Sequence, residues 1–282
     1  QLIHGLNESG LNFGANTFTL TQGLPIEEAQ FPSSLALSDI GSWALGQFKT
    51  VAEVKAGLNQ QLVYCTPLAI LHSSTTPLHC AFYDETGASI VLEYFQGKQC
   101  IYDNPVGVMT NGPEFSWHLT NLNNYTHLSN IDFNQATFNS LEANQPDSGI
   151  ATSIIPSSNT SVGRFIKAVY YSQFALKAKT PDEAVYLLSH VLNNFDRPLN
   201  ITVDPPNPDE PLPEGKGDSE FTVWTALSDL TRRKFFVRSY LELNYQHFDL
   251  NELSILNSFK TIPYMSKYTG LASSNSQALI HA

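Results

Sequence analysis

Residues 104–113 have the sequence Asn-Pro-Val-Gly-Val-Met-Thr-Asn-Gly-Pro, and this segment separates two kinds of sequence pattern. Short β-rich runs precede it, and a helical pattern follows it at residues 115–125. Taken alone, its final Asn-Gly-Pro is a common turn sequence, because Asn and Gly tolerate left-handed backbone and Pro interrupts regular structure. The segment therefore marks the change from sheet to helix.

The pattern up to residue 110 predicts an antiparallel meander, whose last run extends into this segment. Apolar, β-branched and aromatic residues are concentrated in short runs with turn formers between them. The runs lie at 61–65, 76–83, 88–95 and 99–110. At the start of the chain, two further strand-like runs, 2–6 and 11–20, flank the turn sequence Asn-Glu-Ser-Gly, which predicts a hairpin.

Helices are predicted on both sides of the segment. Apolar residues at helical spacing from Leu37 to Phe48 predict one helix, and the capping box at Thr50 and Glu53 predicts the start of a second. Two more helices are predicted at 164–177 and from Thr180 onwards, and both are expected to pack on the same core. The second carries an apolar stripe of Ala184, Leu187, Leu188, Val191 and Phe195.

The remaining segments predict loops and a second group of strands. Residues 129–163 lack a sustained period, which predicts a long surface loop bordering a site, and the Pro- and acid-rich residues 204–218 predict another loop. A hairpin at 221–243 and a strand near 245–248 follow, and the tail 266–282 is expected to be loosely held. Hairpins without βαβ alternation indicate an α+β fold in one domain spanning residues 1–282.

Composition excludes several classes of protein. The chain has 282 residues, of which 42% are hydrophobic and 15% charged, a profile typical of a globular protein and unlike a disordered or fibrous one. Its net charge of −11 repels phosphate, so neither a nucleic-acid partner nor an anionic membrane is expected. No apolar stretch approaches the roughly 18 residues that a membrane helix needs.

Motifs for common catalytic and metal sites are missing from the sequence. It contains no G-x-S-x-G, H-E-x-x-H, Walker or G-x-G-x-x-G motif, and its three cysteines have no C-x-x-C spacing. His4, His79 and His118 lie in apolar patterns that favour hydrogen-bonded core imidazoles over metal ligands. We therefore expect no metal and no cofactor.

Three segments in this order are nevertheless characteristic: Asn-Glu-Ser-Gly-Leu at 7–11, the segment 104–113, and Gly-Arg-Phe at 163–165. Together with the surrounding residues 115–122 and 222–230, they resemble the choloylglycine hydrolase and penicillin V acylase family. The resemblance implies an N-terminal-nucleophile hydrolase, a four-layer αββα sandwich that cleaves a carbon–nitrogen amide bond in a small molecule. Substrates in this family are conjugated bile acids, penicillin V or N-acyl homoserine lactones.

The resemblance also implies roles for particular residues. Asn111 matches the asparagine whose side-chain NH₂ contributes to the oxyanion hole, and Thr17 matches the position whose backbone N–H completes it. Arg164 matches an arginine near the nucleophile that lowers the thiol pKa. Asn16 and Phe18 are expected to bind the acyl part of the substrate. The alternatives are an ordinary turn asparagine, a strand threonine and a surface arginine at a helix start.

In this family the nucleophile is an N-terminal cysteine whose own α-amine acts as the base. That cysteine, with an arginine and an aspartate soon after it, lies before the point that corresponds to residue 1. We therefore expect residues 1–282 to be the larger C-terminal part of the enzyme, with the sandwich incomplete at its N-terminus. Cys65, Cys80 and Cys100 cannot replace this nucleophile without cleavage inside the meander.

Two further expectations follow from this interpretation. Missing strands would expose apolar surface and unpaired backbone, which favours a homo-oligomer. The sequences of the motifs are closer to those of exported family members, which favours a periplasmic or secreted protein. The alternative function is a hydrolase-like binding protein that lacks the nucleophile and performs no turnover.

Overall fold

The computed structural model describes residues 2–65, 67–68, 74–205, 219–253 and 260–261. Its contacts divide the chain into two compact units, residues 1–178 and 179–282. The organisation as one domain stays a prediction. The tail 266–282 and most of the loop predicted at 204–218 lie outside the described residues.

The strands of the first unit are, in chain order, β1 (His4–Leu6), β2 (Asn12–Thr17), β3 (Leu35–Ala36), β4 (Val63–Tyr64), β5 (Pro67–Leu68), β6 (Ser74–Thr75), β7 (Leu78–Tyr83), β8 (Ser89–Phe95), β9 (Lys98–Asp103), β10 (Gln135–Phe138) and β11 (Leu141–Asn144). Its helices are α1 (Ile40–Gln47), α2 (Val51–Leu58), α3 (Phe115–Asn121) and α4 (Ser161–Phe174). Short 3-10 helices occupy 28–33, 37–39, 122–125 and 150–154.

A five-stranded antiparallel sheet with the order β1-β2-β7-β8-β9 forms the centre of the first unit. It confirms the opening hairpin, in which Gly5 pairs with Phe13, and the meander of β7, β8 and β9. The run at 61–65 is wrong as a part of this meander, because its strand β4 pairs in parallel with β3 in a separate sheet. The strand predicted at 99–110 is too long, because β9 ends at Asp103. Pro105 and Gly107, the latter at φ 67°, turn the chain away from the sheet at that point.

Alternate residues along the sheet face two different groups of helices. Phe82, Ile90 and Leu92 are buried against the side chains of α1 and α2. Ala81 and Val91 are buried in a separate cluster that includes side chains of α3 and α4, namely Phe115, Phe165 and Ile166. The period-2 alternation of a strand thus gives the sheet two covered faces. Each fully buried Phe, Ile, Leu or Val side chain contributes roughly 1.5–3 kcal/mol to the free energy of folding.

The start of α2 confirms the predicted cap by Thr50 but not the complete capping box, and it adds a partner from the sheet. The Thr50 hydroxyl accepts from Glu53 N at 3.2 Å, and the Glu53 carboxylate accepts from Lys49 N at 2.7 Å. Asp84, in the turn between β7 and β8, accepts from Val51 N at 2.8 Å. This buried carboxylate therefore joins the sheet to the helix.

The helix predicted at 164–177 is α4, but it begins three residues earlier. Thr160 is its N-cap, since the Thr160 hydroxyl accepts from Gly163 N at 3.2 Å. Gly163 lies in the first turn, where an added Cβ would lie only 2.7 Å from Ser158 O. Gly163 thus lies within the helix because of close packing, although glycine is an unfavourable residue in helices.

The long loop predicted at 129–163 is wrong in part, because the segment contains a hairpin and a short helix. β10 pairs with β11 through an antiparallel register in which Phe138 faces Leu141, and Asn139 in the turn adopts φ 55°. Nearly all residues of both strands are exposed. A strand with no buried face needs no apolar alternation, so the sequence carried no strand signal there.

The second unit contains α5 (Pro181–Asn193), β12 (Trp224–Asp229), β13 (Lys234–Ser239), β14 (Gln246–Asp249) and α6 (Leu250–Leu253). The three strands form an antiparallel sheet in sequence order, which confirms the predicted hairpin and final strand. Thr180 caps α5 as predicted, with its hydroxyl accepting from Glu183 N at 3.2 Å.

α4 and α5 each pack within their own unit, and the common core expected for them stays a prediction. α4 contributes Phe165 and Ile166 to the interior of the first unit, whereas α5 lies against β12. Leu187 of the predicted stripe is only half-buried, and Leu188 is exposed. Within the described parts of the chain, no helix is long and apolar enough to cross a bilayer.

We expect Asp84→Asn to destabilise the protein by about 2 kcal/mol at neutral pH, because hydrogen bonds to a charged acceptor are the stronger ones. Burial acts to raise the pKa of Asp84, but hydrogen bonds from Thr86, Val51 and Ala88 outweigh it and hold the pKa below 3.8. A lowered carboxyl pKa contributes stability above the unfolded value that is lost as pH falls through the folded value.

Urea unfolding at about pH 7 and about pH 3 measures this dependence, and the difference between wild type and variant is expected to shrink at the lower pH. Asp103→Asn is the matched control, since the Asp103 side chain is 79% exposed in its ion pair with Lys55. An effect of Asp84→Asn no larger than that of the control contradicts the assignment.

Candidate functional site

The segment 104–113 forms the loop between β9 and α3, and hydrogen bonds fix its first turn. Gly107 N donates to Asn104 O at 3.4 Å, and the Asn104 amide donates to Val108 O at 3.3 Å. Thr110 is buried, the following Asn111 is half-buried, and the Gly112-Pro113 peptide is cis. The loop therefore presents Asn111 from a fixed backbone.

Both polar atoms of the Asn111 side chain are engaged. Arg164 Nη2 donates to Asn111 Oδ1 at 2.6 Å, and Asn111 Nδ2 donates to Thr17 O at 2.7 Å. Because a guanidinium only donates and a carbonyl only accepts, these two partners define which end of the carboxamide is which. One Nδ2 hydrogen is used by Thr17, and the amide group has a second.

Thr17 ends β2 with its backbone directed towards Asn111. Ala15 N donates to Ile3 O on the β1 side, and Phe18 N donates to Pro77 O on the β7 side. Since the N–H and C=O of one strand residue point to the same side and successive residues alternate, Thr17 N–H and Thr17 O both point away from β7. The N–H of Thr17 and the NH₂ of Asn111 thus lie at the same edge of β2.

Arg164 lies in the first part of α4 and links two segments. Its Nε donates to Asn159 O at 3.0 Å while its Nη2 contacts Asn111. The planar guanidinium makes both bonds from one rigid group. The structure therefore brings together Asn111, Arg164 and Thr17, the three residues selected from the sequence as catalytic.

Sequence reasoning missed Ser161, the first residue of α4. Its hydroxyl accepts from Asn111 N at 2.9 Å and lies 3.0 Å from the Thr110 hydroxyl. A serine after the N-cap threonine is ordinary in sequence. Its contact with a loop fifty residues earlier gives no local signal.

Asn16 and Phe18, the predicted substrate-binding residues, are both engaged inside the protein. The Asn16 amide donates to Thr110 O at 2.8 Å. Phe18 is 0% exposed, and its ring stacks on His79 with centroids 4.9 Å apart and planes 9° from parallel. Contact between Phe18 and a ligand would require the ring to leave this position. Their part in substrate binding stays a prediction.

Two of the predicted core imidazoles are confirmed, and both lie beneath the Asn111 loop. His79 Nε2 donates to Thr110 O at 2.8 Å, and His118 Nε2 donates to Asn111 O at 3.0 Å. Burial lowers the pKa of His118, so its ring is neutral at neutral pH, and it stacks on Phe165 at 4.5 Å. The apolar pattern around these two histidines predicted their burial and not their partners.

The described residues contain no group of three or more His, Cys, Asp or Glu side chains that could hold a metal ion. A cavity of about 280 Å³ lies in the second unit, and none of the predicted site residues lines it. Arg238 and Asp196, which do line it, already pair with each other at 2.5 Å. The candidate site is therefore the surface around Asn111.

The three cysteines are free thiols. Burial raises the pKa of Cys65 to about 11 and raises the pKa of the fully buried Cys80 further. Cys80 also packs with the core formed by α1 and α2, on the face of β7 opposite His79. Because nucleophilic attack requires a thiolate, neither Cys65 nor Cys80 is suited to it.

Comparison with known proteins finds two bile salt hydrolases to which the chain is similar. It is 29% identical over 218 residues to the bile salt hydrolase/transferase of Lactiplantibacillus plantarum, covering 75% of this chain and 64% of that one. It is 26% identical over 267 residues to the bile salt hydrolase/transferase of Clostridium perfringens, covering 92% of this chain and 77% of that one. The chain thus spans about two thirds to three quarters of these relatives.

A solved structure shows the same fold. The structure of a variant of the conjugated bile acid hydrolase from Clostridium perfringens matches with a TM-score of 0.77 at 24% identity, covering 97% of this chain and 79% of that one. This likeness confirms the predicted α+β fold class of the N-terminal-nucleophile hydrolases. A family model for linear amide C–N hydrolases also matches residues 1–264, and the chain belongs to this choloylglycine hydrolase family.

Proposed function

We propose that the protein hydrolyses the amide bond of a small acylated molecule, with Asn111 supplying a hydrogen bond to the oxyanion. The arrangement that supports this proposal is the Asn111 carboxamide, held by Arg164 at Oδ1 and by Thr17 at one Nδ2 hydrogen. The second Nδ2 hydrogen and the Thr17 N–H lie on the same side of β2. Together they would donate to one oxygen atom.

Such donors act in the transition state. When a nucleophile attacks an amide carbonyl, the carbonyl oxygen acquires negative charge, and fixed N–H groups stabilise it more than they stabilise the neutral substrate. A carboxamide suits this role because it donates without exchanging a proton. One donor of this kind contributes roughly 2.7–4 kcal/mol to transition-state stabilisation.

Arg164 is proposed to hold the Asn111 amide and to supply positive charge. Its bond to Asn111 Oδ1 prevents the carboxamide from rotating its oxygen towards the oxyanion, where it would repel the charge. The guanidinium remains charged at all accessible pH values, and a fixed positive charge close to a thiol lowers the thiol pKa. The bond to Asn159 O fixes the guanidinium itself.

The nucleophile is proposed to be an N-terminal cysteine outside residues 1–282. Its sulfur would form a bond to the carbonyl carbon while its α-amine takes the thiol proton and returns it to the leaving nitrogen. Water would then cleave the thioester, releasing the acid and restoring the thiol. The raised pKa values of Cys65 and Cys80 support a nucleophile elsewhere.

The substrate class is proposed from similarity. The relatives described above carry the names bile salt hydrolase/transferase and conjugated bile acid hydrolase, which favours an amide between an amino compound and an apolar acid. Conjugated bile acids, penicillin V and N-acyl homoserine lactones share this linkage and form the panel to assay. A binding protein without turnover would retain ligand binding and release no amine from any of them.

We expect Asn111→Ala to lower kcat by about 100-fold to 1000-fold in the full-length protein, because one oxyanion donor is lost. Asn111→Asp keeps an acceptor for Arg164 and should lower kcat at least as far with little loss of stability. Amine release and thermal melting measure the two effects. Asn124→Ala, on an exposed side chain, is the control, and equal loss of activity in the control contradicts the role.

We expect Arg164→Lys to lower kcat by about tenfold or more, because one ammonium cannot reproduce the two bonds made by Nε and Nη2. Arg164→Met should cost more, since the charge is lost as well. Lys167→Met removes the same charge from the same helix one turn later and serves as the control. A kcat for Arg164→Met that equals that of Lys167→Met overturns the assignment.

An intact mass and an N-terminal sequence of the protein from its natural source test the nucleophile. We expect residues before position 1 that begin with cysteine, and we expect iodoacetamide to abolish amine release by alkylating that residue. A natural chain that begins at residue 1 would instead favour the binding protein.

A further inference from the structure

The peptide between Thr110 and Asn111 is held at both of its polar ends. Thr110 O accepts from the Asn16 amide and from His79 Nε2, each at 2.8 Å. On the opposite side, Asn111 N donates to Ser161 Oγ at 2.9 Å. Since a peptide group is planar, bonds at both ends fix the orientation of the whole unit.

The next peptide is fixed as well, because Asn111 O accepts from His118 Nε2 at 3.0 Å. The two peptide planes that flank a Cα atom set its φ and ψ, and these angles set the direction in which the side chain leaves the backbone. The position of the Asn111 carboxamide therefore depends on Arg164 and Thr17, which contact the side chain, and also on groups that contact only the backbone.

His79 belongs to a polar row that crosses the sheet. Asn16 of β2 pairs directly with His79 of β7. The β7–β8 register, in which Cys80 pairs with Leu92 and Ala81 with Val91, continues to place His79 opposite Glu93. His79 Nδ1 lies 2.8 Å from Glu93 Oε1, and both side chains are at most 1% exposed.

The hydrogen-bond pattern defines what His79 presents to the loop. Thr110 O can only accept, so His79 Nε2 carries a hydrogen. A single hydrogen is shared between His79 Nδ1 and Glu93 Oε1, and the Nε2 hydrogen is present wherever that shared hydrogen resides. Phe115 N, at the start of α3, donates to both Glu93 oxygens at 3.0 Å and fixes the carboxylate.

Stability alone is a poor reason for this pair. Replacing a buried ion pair by well-packed apolar side chains is often neutral or stabilising, because burial removes hydration from both groups. The neighbours Ala81 and Val91, on the same face of the sheet, show that apolar side chains pack at this level. What the pair supplies beyond packing is a donor aimed at Thr110 O.

We propose that His79, oriented by Glu93, is a positioning residue that acts through the Thr110 carbonyl to hold Asn111 in its donor position. The proposal rests on the proposed function, in which Asn111 stabilises the oxyanion. The His79 side chain is only 1% exposed, so its loss should affect kcat and leave substrate binding nearly unchanged.

The test uses the full-length protein in a Glu93→Gln background, because Gln still accepts from Phe115 N and leaves no buried carboxylate without a partner. His79→Phe in this background keeps an aromatic ring and removes the donor. We expect kcat to fall on the order of 10-fold to 100-fold below Glu93→Gln alone, as misplacement of a reacting group can cost this much. KM should change by less than about threefold.

His79→Gln in the same background is the rescue variant, since its amide nitrogen can reach the position of Nε2 and should restore most of kcat. Tyr94→Phe is the control for stability. Tyr94 follows Glu93 in β8, points to the opposite face and loses a hydroxyl that donates to Gln99 at 2.6 Å. Its kcat should equal that of wild type despite a lower melting temperature.

Combination with Asn111→Ala separates the two proposals. If His79 acts through Asn111, His79→Phe should lower kcat little further once Asn111 is already alanine. Additive losses, or a kcat for His79→Phe within about twofold of its background, overturn the positioning role while the oxyanion role stands. An unchanged kcat for Asn111→Ala itself overturns the proposed function, and the positioning role falls with it.

Discussion

Asn111 is held by hydrogen bonds from three different elements of the first unit. Its backbone N–H, its carbonyl, its Oδ1 and one Nδ2 hydrogen are bonded to groups from α4, α3 and β2, with Arg164 and Thr17 at the side chain. A flexible amide on a loop would lose entropy and reorganise during each reaction. A held amide avoids this cost, and a donor placed in advance is the kind that lowers a barrier.

The central sheet holds the region around Asn111 in place, and its two faces differ in the side chains that they carry. The face towards α1 and α2 is apolar and contains the large buried side chains Phe13, Phe82 and Tyr94. The other face combines an apolar cluster with the polar row of Asn16, His79 and Glu93. Because residues alternate along each strand, a single strand such as β7 can serve the core with Cys80 and the site with His79.

Family membership and local geometry support each other at this site. The family model covers residues 1–264, and the fold is shared with a bile acid hydrolase structure. The likeness by itself concerns the backbone arrangement, whereas the Arg164 bond to Asn111 Oδ1 is a property of this chain's side chains. The proposed amide hydrolysis draws on both.

Local sequence signals determined the starts of α2 and α5, the opening hairpin and the meander of β7, β8 and β9, because helix caps, turn formers and periodicity act over a few residues. The exposed hairpin at 135–144 gave no such signal, since neither strand buries a face. The resemblance identified Asn111, Arg164 and Thr17 as a set. Only the tertiary structure decided that Ser161 and His79 bond the backbone at Asn111 and Thr110 and that Glu93 accepts from Phe115 N. These contacts depend on strand register and on packing between residues 22 to 50 positions apart.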